Sequence, residues 1–134
     1  LDSTVSSWRG DADGTLCEVD VQTALPKNTG QSHSADIQVS PDGRFVYSSN
    51  RGHDSIAAFG IEASGRLNPV GHFSSGGRTP RNFAITPTGR HLVVANQDSD
   101  SIALLSRNPH TGTIEDTGRR IEIGTPMCVR LAGE

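Results

Sequence analysis

The sequence predicts an all-β fold assembled from repeated four-stranded antiparallel units, and three observations carry that prediction. The first is composition: 33% of residues are hydrophobic and 4% aromatic, against 15 Gly and 7 Pro in 134 positions. That mixture suits many short strands joined by tight turns. The second is that no window of ten or more residues keeps a 3.6-residue apolar period, so essentially no helix is expected. The third is an internal repeat.

Displaced by 46 positions, Ser40–Phe59 (SPDGRFVYSSNRGHDSIAAF) falls on Thr86–Leu105 (TPTGRHLVVANQDSDSIALL) with eight identities in 20. A period of about 40–50 residues with four strands per unit is that of a β-propeller blade. Within each copy, Ile37 and Val39, like Phe83 and Ile85, alternate with polar neighbours and predict a half-buried first strand. SPDGR and TPTGR then supply a tight turn, with Pro fixing φ before the bend and Gly taking a positive φ. FVYSSN and HLVVAN predict the second strand, and SIAAFGI and SIALLS the third. EASGRL and NPHTGTI are hairpin loops leading to outer strands in NPVGHFSSGG and EDTGRRIEIGT.

The opening LDSTV repeats the Asp-Ser-aliphatic start of a third strand, aligning Asp2 with Asp54 and Asp100, and Gly10–Thr23 continues as an outer hairpin. GTPMCVRLAGE answers RTPRNFAI around its proline, so Cys128–Leu131 is expected to begin another first strand. The expected organisation is therefore a partial propeller of about two and a half to three blades. The second half of a blade spans 1–32, whole blades span 33–77 and 78–125, and the first strand of a closing blade spans 126–134. Blades bury their faces against neighbours. Leaving several hundred Å² of apolar face open forfeits on the order of 10 kcal/mol. The open faces are accordingly expected to meet the remaining blades of a longer parent chain or a second copy.

A net charge of −3, with five scattered His and no basic stripe, argues against a nucleic-acid partner. No apolar run approaches the roughly 18–20 residues of a membrane-spanning helix. No membrane partner is expected, and with no visible signal peptide a cytoplasmic location is. Cys17 and Cys128 lack CxxC spacing and read as reduced, buried packing residues. No His/Cys/Asp/Glu set has metal-ligand spacing, and neither a metal nor a cofactor is expected.

DIQVSPDGRFVYSSNRGHDSIAAF, GGRTPRNFAITPTGRHLVVANQDSDSI and GTPMCV together resemble the C-terminal blades of the lactonase-type seven-bladed propellers. That family includes bacterial 6-phosphogluconolactonase and fungal carboxy-cis,cis-muconate cyclase. The resemblance implies a site at one mouth of the central channel, shared among several blades. It also implies an Asn-Glu just before Leu1, and a catalytic His and a further Arg on earlier blades. Relatives often read IHVSPDG where this chain has Gln38, which speaks against an acid–base role at that position.

Arg51, at the end of a second strand beside Ser48, Ser49 and Gly52, is the leading substrate-binding candidate. A carboxylate or phosphate suits a planar, permanently charged, bidentate donor. Arg81, in TPRNF, is the second candidate, because the other repeats place Ala35 and Met127 there and do not themselves require Arg. Gln97 occupies the slot of Arg51 and is the third. His53, beside Asp54, is the catalytic candidate as an acid–base group, with His33 a weaker one. Asp54, repeated as Asp100, and Asn50, repeated as Asn96, read as structural caps. The expected reaction is hydrolysis of a small anionic lactone such as 6-phosphogluconolactone. A muconate-type lactonising cycloisomerase and a non-catalytic interaction propeller are the alternatives.

Overall fold

The computed structural model describes residues 2–132. A hairpin of β1 (Thr4–Gly10) and β2 (Leu16–Thr23) precedes two four-stranded sheets. The first sheet comprises β3 (His33–Val39), β4 (Phe45–Arg51), β5 (Ser55–Ile61) and β6 (Leu67–Ser74). The second comprises β7 (Pro80–Ile85), β8 (His91–Asn96), β9 (Ser101–Arg107) and β10 (Ile114–Glu122). In both, each strand pairs antiparallel with the next in sequence. This is the meander of a propeller blade, and the fold is all-β, with a single short 3₁₀ turn among the described residues, at Gln97–Ser99. The β3–β4 and β7–β8 turns close as expected: Gly43 and Gly89 take φ of 69° and 67°, and their N–H groups donate to Ser40 and Thr86, each at 2.8 Å.

Alternation of side chains across the pleat sends the apolar residues of the first sheet into two cores, one on each face. Phe45, Tyr47, Ile56 and Ala58 pack on one face against Phe83, Leu92, Val94, Ala103 and Leu105 of the second sheet. Val46, Ala57, Phe59 and Leu67 pack on the other face with Val5 and Ala24 of the hairpin segment. The hairpin covers only part of that face, and Ile37 and Val39 remain exposed.

Recurrent hydrogen bonds join one sheet to the next. Asn50 Nδ2 donates to the Ala24 carbonyl at 2.7 Å, and Asn96 Nδ2 donates to that of Ser75 at 3.0 Å. Asp54 Oδ1 accepts from Thr79 N at 2.8 Å, and Asp100 Oδ1 accepts from Thr125 N at 2.8 Å. On the inner strands, Asp36 Oδ2 accepts from Phe83 N at 3.1 Å and Asn82 Nδ2 at 2.7 Å, while Asn82 Oδ1 accepts from Val129 N at 2.7 Å. The recurring Asn and Asp thus cap loops and also bridge sheets.

Three expectations need correction. Ser3, not Asp2, holds the slot of Asp54 and Asp100: the three residues have φ of 53°, 55° and 47°, and each carbonyl accepts from the residue after the outer strand. The exposed Asp2 accepts instead from Thr4 Oγ1 at 3.0 Å, so the repeat slips by one position there. Cys17 and Cys128 are both exposed, because each lies on a surface that no neighbouring sheet covers. Residues 126–132 do not form a strand, since no strand among the described residues pairs with them; the Val129–Asn82 hydrogen bond holds them beside β7.

Candidate functional site

Arg51 is the last residue of β4, where the strand turns polar after a wholly buried run from Phe45 to Asn50. Its register partner is His33, the first residue of β3. The guanidinium is half-buried; Nη2 lies 3.5 Å from the Ser34 carbonyl, while Nε is buried with no partner among the described residues. His33 Nδ1 is buried and unpartnered in the same way. An Arg with unused donors on a rigid strand end can take a bidentate anion without first breaking a strong internal contact.

Gln97 follows β8 at the corresponding place and opens the 3₁₀ turn, so it leaves the ladder one residue earlier than Arg51 does. Arg81 sits in a bulge of β7: Pro80 pairs with Asn96 and Asn82 with Ala95, which leaves Arg81 opposite no residue. Bulges re-aim side chains and concentrate near functional sites. Arg81 Nη1 lies 3.5 Å from Gln97 Oε1, and both side chains are half-buried. The structure therefore brings Arg81 and Gln97 together and places Arg51 at the equivalent end of the adjacent sheet. Asn82, next to Arg81, is tied to Asp36 on β3, and this fixes the two inner strands relative to each other.

His53 lies in the exposed loop after Arg51 but faces a different set of groups. Its Nδ1 is 2.7 Å from Ser55 Oγ, and its ring meets that of His72 edge-on at 6.2 Å between centroids. Burial holds His72 below the ordinary imidazole pKa; the Ala24 carbonyl partly offsets this, and His53 adds to it. Asp54, beside His53, is occupied by the backbone N–H groups of Gly52 and Thr79 and does not orient the ring. Sequence reasoning missed His72, on an outer strand 19 positions away with no motif to mark it. It also missed Asp36, whose role depends on the neighbouring sheet.

A hollow of about 570 Å³, lined by Arg90, His91, Arg107, Asn108 and Glu115 among others, lies at the opposite, turn end of the second sheet. It contains none of Arg51, His53, Arg81 or Gln97. Among the described residues no three His, Cys, Asp or Glu side chains gather as metal ligands.

Residues 1–131 match the family described as "Lactonase, 7-bladed beta-propeller". A Formosa agariphila protein named 6-phosphogluconolactonase is 47% identical over 111 residues, covering 81% of this chain and 31% of the relative. A Bacillus subtilis protein of the same name is 38% identical over 120 residues, covering 88% and 34%. Among solved structures, a putative 6-phosphogluconolactonase from Bacteroides uniformis superposes with a TM-score of 0.87 at 39% identity, over 97% of this chain and 37% of that one. A periplasmic gluconolactonase from Pseudomonas aeruginosa gives 0.86 at 33%, over 94% and 36%. The chain spans about a third of the length of these relatives.

Proposed function

Because the chain belongs to the seven-bladed β-propeller lactonase family, we propose that it contributes part of the substrate pocket of an enzyme that hydrolyses a sugar lactone such as 6-phosphogluconolactone. The observation that supports this reading best is the pair of arginine positions at matching ends of adjacent sheets, Arg51 with an unpartnered Nε and Arg81 on a bulge beside Gln97. In the proposed reaction water adds to the lactone carbonyl carbon and gives up a proton, which the departing ring oxygen later receives, leaving a tetrahedral oxyanion. The ring C–O bond then breaks, the departing oxygen takes a proton, and a carboxylic acid forms that ionises at neutral pH. Arg51 and Arg81 hold the anionic substituent, Gln97 orients Arg81, and His53 is the catalytic candidate. Fixing the anion sets the carbonyl against the attacking water, and such positioning is a large share of what an enzyme supplies.

The rest of the pocket belongs to further blades in this reading. Those blades, or a second copy, would cover exposed apolar side chains such as Ile37, Val39 and Ile121. A cytoplasmic location within sugar-phosphate metabolism completes the proposal. No helix among the described residues is long and apolar enough to cross a membrane. The test is acid release from freshly prepared 6-phosphogluconolactone by the whole protein, followed at constant pH against spontaneous hydrolysis. Release above background that falls in Arg51→Ala supports the proposal; release no faster than background removes it.

A further inference from the structure

His53 is an exposed residue, yet its Nδ1 is engaged by a chain of hydrogen bonds that runs into the core. Ser55, whose Oγ lies 2.7 Å from that nitrogen, is 3% exposed. The same Oγ receives Asn50 Nδ2 at 3.2 Å. The orientation of the Asn50 amide is fixed independently. Its Nδ2 faces the Ala24 carbonyl at 2.7 Å, a group that can only accept, and its Oδ1 receives the Ser34 hydroxyl at 3.3 Å. With Asn50 donating, Ser55 has one hydroxyl proton to place, and the further partner of its oxygen among the described residues is His53 Nδ1. A proton on Nδ1 would instead make the ring a second donor to Ser55 and leave the hydroxyl proton unpaired in a buried position. Buried donors without acceptors are strongly disfavoured.

The internal repeat provides a comparison. Ser99 occupies the slot of His53, and its Oγ pairs with Ser101 Oγ at 3.2 Å. Asn96 donates to the Ser75 carbonyl but leaves its own Oδ1 buried and unpartnered. The continuous Ser34–Asn50–Ser55–His53 chain thus belongs to the sheet that carries the histidine.

The geometry points to Ser55, oriented by Asn50, as a positioning residue that holds neutral His53 as the Nε2–H tautomer and so presents a hydrogen-bond donor, not a basic nitrogen, at the exposed end of the ring. This deepens the lactonase reading and rests on it for the identity of the partner, an oxyanion or anionic oxygen of the substrate. A neutral imidazole stabilises such an oxygen by donating a hydrogen bond without transferring its proton. His53 then acts as an electrophilic group and not as the base that activates water.

Long-range ¹H–¹⁵N spectra of the whole protein with ¹⁵N-labelled histidine, at a pH where the rings are neutral, test the inference. The His53 signals are identified by their loss in His53→Gln, a change at an exposed side chain. A pyridine-type Nδ1 and a pyrrole-type Nε2 are expected, with an excess of roughly tenfold or more of the Nε2–H form. In Ser55→Ala the two shifts should move toward an averaged mixture, and Ser55→Thr should restore the bias. An Nδ1–H tautomer or an even mixture in the wild type overturns the inference, as does an unchanged bias in Ser55→Ala. Should Ser55→Ala not fold, the wild-type spectrum and Ser55→Thr still decide. Failure to hydrolyse lactones, with the tautomer as stated, would count against the proposed function alone.

Discussion

Arg107 and Tyr47 are 60 positions apart in sequence, yet Arg107 Nε donates to the Tyr47 hydroxyl at 2.6 Å. The guanidinium also donates to the Gly89 carbonyl at 2.7 Å and pairs with Asp42 at 3.3 Å, and its central carbon lies over the rings of Phe45 and Tyr47, 5.2 and 5.6 Å from their centroids. Tyr47 in turn donates to the Gly112 carbonyl at 3.0 Å. This buried node joins both sheets at their turn end. Arg107→Ala should lower stability by about 2–4 kcal/mol, because it opens a cavity and orphans the Gly89 carbonyl. Arg107→Met should lose less, and both are read from the denaturant midpoint at constant m-value. An unchanged midpoint in Arg107→Ala would show the node to be dispensable.

The Asp42 end of this node gives a pH dependence with a defined sign. Burial alone would raise the Asp42 carboxyl, but hydrogen bonds from Ser40, the Arg44 N–H and Arg107 outweigh it and hold the pKa below the ordinary value. The folded state therefore prefers the ionised form. Its contribution is present above the unfolded carboxylate range, near ~3.9, and is lost as pH falls through the lowered folded value. Asp42→Asn should flatten the acid limb of a stability–pH curve relative to wild type: the loss appears at pH 7, where it is modest because the carboxylate is partly exposed, and disappears in acid, where both carry a neutral side chain.

Asn50 and Asn96 predict a matched pair of losses. Each is fully buried and donates to a carbonyl in the preceding sheet or hairpin. Replacing either with Ala leaves that carbonyl without its donor, at a cost of about 1–3 kcal/mol. Asn50→Ala should be the more damaging, since Asn50 also bonds Ser34 and Ser55 whereas the Oδ1 of Asn96 is already unpartnered. Equal midpoints for the two variants would contradict this ranking.

What could be read in advance divides along sequence distance. Strand order, the Pro-Asp-Gly and Pro-Thr-Gly turns and the caps at Asp54 and Asp100 follow from local pattern, because pleat alternation and turn chemistry act over a few residues. The one-residue slip at Asp2 escaped that reading, since a three-residue motif does not fix register when its partner strand is not specified. The clamps made by Asn50, Asp36 and Arg107 were not legible either. Each acts on a group 26 to 65 positions away, on another sheet. The cysteines were misread for the same reason: a strand-like sequence position does not say whether another sheet covers it. At the candidate site, Arg81 and Gln97 could be singled out from the repeat, and Arg51 mainly from the family resemblance. The bulge that frees Arg81 from strict pairing, and the Ser55 contact of His53, required the fold.

Gly112 shows how a hairpin glycine can be required by its neighbour. Its φ is +76°, and a Cβ there would run into the Phe45 ring of the adjacent sheet. Gly112→Ala therefore combines backbone strain with a clash against a buried aromatic, and should cost roughly 2–4 kcal/mol. Gly14 also has a positive φ, of 87°, but nothing lies within 4 Å of its would-be Cβ, so Gly14→Ala should pay the strain alone. A midpoint shift in Gly112→Ala no larger than that in Gly14→Ala would show that Phe45 yields without penalty.

The proposed substrate contacts make a graded prediction. Arg51 presents a buried Nε with no internal partner, and a charged hydrogen bond to an anion is worth about 1.5–3 kcal/mol. Arg51→Ala should therefore lower kcat/KM for a phosphorylated lactone roughly 10- to 150-fold. Arg51→Lys should recover little of it, because an ammonium cannot reproduce the bidentate fork. Arg81→Ala should fall in the same range. Gln97→Ala, which removes only a long 3.5 Å contact to Arg81, should cost roughly tenfold or less. The loss should shrink for the corresponding lactone without phosphate, since the arginines are assigned to the anion and not to the carbonyl. A loss of the same size for both lactones would move Arg51 from the anion-binding role to the reacting centre.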